Sequence, residues 1–143
     1  MGKQRSRRAR LTRELAREQK WKCYYCEQRM AKDLQEANNV LSRVSTTEKT
    51  RRLAAAWRVV TYEHLKPVSK GGEVSEENGA AACAWCNGFR GKFDESVAKR
   101  LIMYLVGHNL HPHQTFIKTG LLVTPHPSIR GMIKIAEENL ECK

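Results

Sequence analysis

The chain has no apolar run that approaches the roughly 20 residues a membrane span needs. Runs such as Leu101 to Val106 are too short to be one. No apolar stretch follows the basic N-terminus, which argues against a secretory signal. Acidic residues are scarce, 15 Asp and Glu against 26 Lys and Arg. There is no internal repeat, no low-complexity tract and no separable sequence-reading domain. These absences lead to the expectation of a cytoplasmic protein with no membrane partner. In that compartment structural disulfides are rare, and closely spaced cysteines read as metal ligands.

What remains is a basic chain of 143 residues with a formal net charge of +11, sized for one domain with a moderate core. Such a charge favours a polyanionic partner, of which nucleic acid is the commonest, although a basic chain can also carry its charge as a solvated surface. The basic residues crowd residues 2–20 (Lys3, Arg5, Arg7, Arg8, Arg10, Arg13, Arg17 and Lys20). From about Ala9 onward, Leu11 and Leu15 with Glu14 and Glu18 predict a helix running into the next segment; the residues before it are expected to be disordered. Such an arm grips phosphates or serves as a solubilising tail.

Four of the five cysteines form two Cys-x-x-Cys knuckles, Cys23–Cys26 and Cys83–Cys86. Four thiolates in two pairs can close a tetrahedral structural zinc site, and the long separation between the knuckles adds only modest loop-closure entropy. Cys142 is left over and carries no assignment. Trp21, Tyr24 and Tyr25 are expected to cover the metal.

Between the knuckles, residues 27–57 read as a partly helical insert, with Ser45 and Glu48 as a capping box ahead of a helix through Trp57. Val59–Tyr62 reads as a strand that delivers Glu63 and His64 at its end, stopped by Pro67. A turn-rich loop over Ser69–Gly72 follows, then Asn78 and a short Ala-rich segment. The chain is expected to turn helical over 83–90. Asp94 caps a further helix with Val97, Leu101, Tyr104 and Leu105 on one face, ending near Gly107–Asn109. Phe116–Ile117 and Leu121–Val123 are read as a hairpin, and Ser128 as the cap of a final helix. His111, His113 and His126, each beside a proline, are read as surface residues.

His64 can take a proton from water near neutral pH. Glu63 is a hard oxygen donor suited to Mg²⁺ or Mn²⁺, and the Asn87 amide, fixed by the adjacent Cys86, can complete such a site. Arg90 and Lys92 are placed to meet phosphate oxygens. On composition alone, Glu63 and His64 are ordinary polar residues at a strand end. Their surroundings change that balance. Tyr62-Glu63-His64-Leu65-Lys66-Pro67-Val68-Ser69-Lys70-Gly71-Gly72, then Asn78, then Ala82 to Lys92 around the second knuckle, resembles the HNH endonuclease family with a four-cysteine zinc site. The resemblance covers about residues 21–92.

The resemblance implies an α+β fold, with a small ββα-metal (His-Me finger) core, a four-cysteine zinc site and surrounding helices. It implies His64 as general base, Glu63 and Asn87 as ligands of one catalytic Mg²⁺ or Mn²⁺, and Asn78 as the residue holding the connecting loop in register. Many members have Asp in place of Glu63, and others have His in place of Asn87. The expected organisation is a basic arm over 1–20, a zinc-stapled core over 21–108 with the insert at 27–57, and an extension over 109–143 packed on that core. The expected activity is cleavage of double-stranded DNA, with Arg90 assisting. Two other classes fit parts of the pattern. A zinc-dependent nucleic-acid-binding module without catalysis explains the charge, knuckles and aromatics equally well; only Glu63, His64, Asn78 and Asn87 separate it from the nuclease. A thiol redox protein requires freely titrating cysteines.

Overall fold

The computed structural model describes residues 2–91 and 93–121, with Lys134, Glu137 and Glu138 beyond them. The first helix, α1 (Gly2–Glu18), begins well before Ala9 and takes in residues expected to be disordered. Leu15 and Ala16 bury its inner face. Two left-handed residues, Lys20 (φ 56°) and Trp21 (φ 62°), then turn the chain into the first knuckle. There Cys23 N donates to Gln28 O (2.9 Å) and Glu27 N to Cys23 O (3.0 Å).

The insert contains α2 (Leu34–Val40) and α3 (Glu48–Arg58). Asp33 caps α2, its side chain accepting from Glu36 N at 2.8 Å. The cap of α3 is Thr47, two residues later than expected, accepting from Thr50 N at 3.2 Å. Glu48 is therefore the first helical residue, and it pairs with Arg52 at 2.6 Å instead of closing a capping box. Ala31, Ala37, Leu41, Ala54, Ala55 and Phe116 form a satellite core under these helices.

Strands β1 (Val60–His64) and β2 (Gly79–Cys83) form an antiparallel pair in the register Val60↔Cys83 to His64↔Gly79. Helix α4 (Ala84–Arg90) follows β2 with no intervening loop, so strand, strand and helix are consecutive apart from the 65–78 connection. The fold is thus mixed α and β, with a two-stranded sheet. Hydrogen bonds Leu65 N to Asn78 O and Ala84 N to Val59 O, both 2.9 Å, bracket the ladder and fix its parity. By alternation Tyr62 and Ala81 form a non-hydrogen-bonded pair whose backbone groups face outward. On the β2 side, Ala81 N donates to Gln19 Oε1 (2.9 Å), while Ala81 O accepts from Gln19 Nε2 (2.8 Å) and Tyr24 N (3.0 Å). On the β1 side, Val60 N donates to Ala31 O (2.8 Å), Tyr62 O accepts from Asn87 Nδ2 (3.1 Å), and His64 O accepts from Arg90 Nη1.

Helix α5 (Glu95–Gly107) buries Ala98, Leu101, Ile102 and Leu105; Val97, expected on that face, is exposed, and Ile102 takes its place. Asp94 occupies the N-cap without a side-chain capping bond, and its carboxylate pairs with Lys70 at 3.0 Å. Residues 112–119 form a helix, α6 (Pro112–Thr119), where a strand at Phe116–Ile117 was expected. Pro112 at its start, a His111–Gln114 capping box and Gly120 in the left-handed conformation (φ 70°) set its ends. Leu122, Val123 and the helix expected after Ser128 lie outside the described residues. Among the described residues no helix is long and apolar enough to cross a membrane.

Candidate metal centre and strand-end site

The four knuckle cysteines are buried, none is in a disulfide, and their sulfurs all lie within 4.8 Å of one another. A zinc ion about 2.3 Å from each sulfur sets the sulfurs about 3.8 Å apart, so the cluster is close to a tetrahedral cage. Backbone N–H groups point at the sulfurs, Cys83 N to Cys23 Sγ at 3.3 Å and Cys86 N to Cys83 Sγ at 3.4 Å. Burial opposes charge on the sulfurs and holds the Cys83 and Cys86 thiols well above the usual range. It also opposes charge on Cys26, but hydrogen bonds from Cys23, Cys83, Cys86 and His111 bring that thiol well below its usual value. A bound divalent cation allows four thiolates to coexist in so dry a place. The donor set and its spacing therefore fit a metal ion such as zinc.

Three residues around this cluster were not recognised from sequence. His111 and His113, read as surface histidines, are 0% and 2% exposed. His111 Nε2 lies 3.4 Å from Cys86 Sγ, and its ring stacks edge-on against Trp85 with centroids 4.7 Å apart. Arg58, which carried no site assignment from sequence, is buried and donates to His113 O at 2.9 Å. Burial lowers the Arg58 pKa, while the charges of Cys83 and Cys26 act in the opposite direction. The usable sequence signal was His111-Pro112-x-Gln114, a helix start that needs His111 turned inward to cap it.

The second site lies at the end of β1. Successive strand residues face opposite sides. The His64 ring is on the α1 face against Tyr62, centroids 4.8 Å apart, and is partly exposed. Its pKa is lowered, first by burial and then by the charges of Arg8 and Arg90. Arg8 also lines two cavities on this face. One, about 250 Å³, lies among Arg8, Thr12, Arg13, Lys32 and β1; the other, about 320 Å³, lies among Arg7, Arg8, Glu73 and Val74.

Glu63 lies on the opposite, α4 face, 4% exposed, with Oε1 accepting from Arg90 Nη1 at 2.9 Å. Burial raises its pKa, and the Arg90 charge opposes that rise. The Tyr25 hydroxyl lies beside Glu63, yet neither it nor Glu63 Oε2 reaches a hydrogen bond of normal geometry. Arg90, expected at phosphate oxygens, is 3% exposed and turned inward. Besides Glu63 it donates to His64 O, to Leu65 O (2.9 Å) and to Phe93 O (3.0 Å). Lys92 lies outside the described residues.

Asn87, one turn before Arg90 on α4, donates to Thr61 Oγ1 (3.0 Å) and Tyr62 O (3.1 Å). That leaves its Oδ1 without a donor among the described residues. One buried carboxylate oxygen and one amide oxygen thus stand unused. These are hard donors of the kind Mg²⁺ and Mn²⁺ take, with Glu63 limited to its Oε2. Asn78 spans the β1–β2 connection. Its Oδ1 accepts from Lys66 N (2.7 Å), and its Nδ2 donates to Lys66 O (3.1 Å) and Glu73 O (2.9 Å). The fold therefore gathers Glu63, His64, Asn78, Asn87 and Arg90 on one strand–loop–strand–helix unit, next to the cysteine cluster. No protein-family profile, curated protein or solved structure matches this chain.

Proposed function

We propose that the protein is a metal-dependent HNH-type endonuclease that hydrolyses phosphodiester bonds of double-stranded DNA, built on a ββα-metal core stapled by structural zinc. The observation that supports this reading is the junction of β1, β2 and α4, where consecutive strand residues put a partly exposed His64 on one face and Glu63, with Asn87 of α4 beside that strand, on the other. His64 is held as the neutral imidazole and takes the proton of the attacking water. Asn78 clamps the backbone immediately after His64, so the base keeps its position. Arg8, whose charge acts on His64, lines a cavity beside β1 with Arg13 and Lys32; these cations bind neighbouring phosphates, giving sequence-independent, salt-sensitive affinity. A Mg²⁺ or Mn²⁺ ion on Glu63 and Asn87 supplies Lewis acidity at the phosphate when bound. Arg90 is a positioning residue in this scheme. It orients Glu63 and holds the end of β1.

The test is nicking of supercoiled plasmid with Mg²⁺ or Mn²⁺, alongside an EDTA control and a His64→Ala variant. Cleavage by the wild type that disappears in the variant supports the reading. Tight DNA binding with no cleavage under either metal overturns it in favour of a non-catalytic nucleic-acid-binding module.

A further inference from the structure

His113 packs its ring against that of His111 but carries a buried nitrogen with no hydrogen-bond partner among the described residues. It is 2% exposed, and its Nε2 makes no hydrogen bond. A buried polar nitrogen of this kind destabilises the fold unless something pairs with it. Donor atoms of His113, His111 and Cys26 all lie within 4.8 Å of one another. Both histidines thus border the sulfur cage, but they are not equivalent. His111 Nδ1 accepts from His113 N at 3.1 Å and so caps α6. An accepting Nδ1 places the ring proton on Nε2, which faces Cys86 Sγ. His111 is therefore committed as an N–H donor to a sulfur, whereas His113 has no such commitment. Its backbone is pinned at both ends, by the His111 cap and by Arg58 Nη2 at 2.9 Å from its carbonyl.

We propose that His113 is a reserve ligand of the metal centre, specific to Cys26. When the Cys26 sulfur leaves the ion, an imidazole nitrogen of His113 takes the vacated position and turns a set of four thiolates into three thiolates and one imidazole. One metal–sulfur bond breaks and one metal–nitrogen bond forms. No electron is transferred, and the ligand set loses one negative charge. Zinc accepts either set. Cys23 and Cys83 share no such donor group with a histidine among the described residues.

The test is titration of Co²⁺ alone into the metal-stripped full chain, followed by sulfur-to-cobalt charge-transfer absorbance and far-UV circular dichroism. The variants are Cys26→Ala, Cys83→Ala and Cys26→Ala/His113→Ala. Cys26→Ala is expected to take up one Co²⁺ and fold, with charge-transfer intensity about three-quarters of the wild type, as three thiolates require. Cys83→Ala and the double variant are expected to bind about tenfold more weakly or worse. Cys26→Ala that binds no better than Cys83→Ala, stays unfolded with Co²⁺, or is unaffected by His113→Ala overturns the proposal. The inference rests on the metal reading of the cysteine cluster. A wild type that takes up no Co²⁺ overturns both, whereas a defect confined to Cys26→Ala overturns this one alone.

Discussion

Arg90 Nη1 donates to Glu63 Oε1 at 2.9 Å in a buried ion pair, the cation supplied by the helix that starts at the second knuckle and the anion by the strand beside it. The pair links the metal-centre half of the molecule to the strand-end site, because Cys83, Cys86, Asn87 and Arg90 lie within eight residues of one another.

Arg90→Ala removes the cation and strands the Glu63 carboxylate in the interior. The expected loss is about 3–5 kcal/mol in urea unfolding of the metal-loaded chain. Arg90→Lys should recover less than half of it. One ammonium can meet Glu63, but it cannot also serve the carbonyls of His64, Leu65 and Phe93. A Lys variant as stable as the wild type would show that those carbonyl bonds contribute little.

Asn78→Ala deletes three side-chain hydrogen bonds across the β1–β2 connection. The site is partly solvated, so the expected cost is about 1–3 kcal/mol. The sharper readout is local: amide exchange at Lys66, whose N–H bonds to Asn78 Oδ1, should accelerate more than exchange within β2. Asn78→Asp keeps the acceptor and loses both donors, so it should protect Lys66 while still destabilising the loop.

Much of this arrangement was legible in advance because it is local. The knuckles announce themselves by spacing, β1 by its β-branched and aromatic residues, and the end of α5 by Gly107. What failed was side-chain direction. Arg90 has the composition of a phosphate contact, and only the proximity of β1 turns it inward. His111 and His113 look like loop histidines because nothing near them in sequence says that α6 docks against the cysteines. Phe116–Ile117 has strand propensity, but a proline start and the His111–Gln114 cap override it. Thr47 caps α3 where Ser45 was expected, and both have the right chemistry, so composition alone does not separate them.

Gly72 is close-packed at the loop after His64. A Cβ there would sit 1.8 Å from Lys66 O, a backbone atom that cannot swing aside. Gly72→Ala is expected to cost about 1–3 kcal/mol by overpacking, with chemical-shift changes centred on Lys66 and Pro67. By contrast, a Cβ at Gly107 meets nothing within 4 Å, so Gly107→Ala serves as the control and should leave the fold intact.

Glu27 closes the first knuckle with φ 60°, a left-handed conformation on an exposed side chain. Glycine adopts this geometry without the Cβ penalty. Glu27→Gly is expected to raise the melting temperature of the metal-loaded chain, with a gain of up to about 1 kcal/mol. A fall in stability would mean that the Glu27 side chain contributes more than its backbone strain takes away.

The outward-facing backbone of the strand pair has a consequence for assembly. A lone two-stranded ribbon normally offers two edges on which another chain can continue the sheet. Here Gln19 presents both its amide oxygen and its amide nitrogen to Ala81, as a neighbouring strand would. On the other edge Ala31, Asn87 and Arg90 engage Val60, Tyr62 and His64 in succession. Among the described residues, each edge is thus occupied along part of its length. These contacts oppose recruitment of a peptide or a second copy by strand addition. Among the described residues, the faces left for association are those of the helices and of the ribbon itself, not its rim.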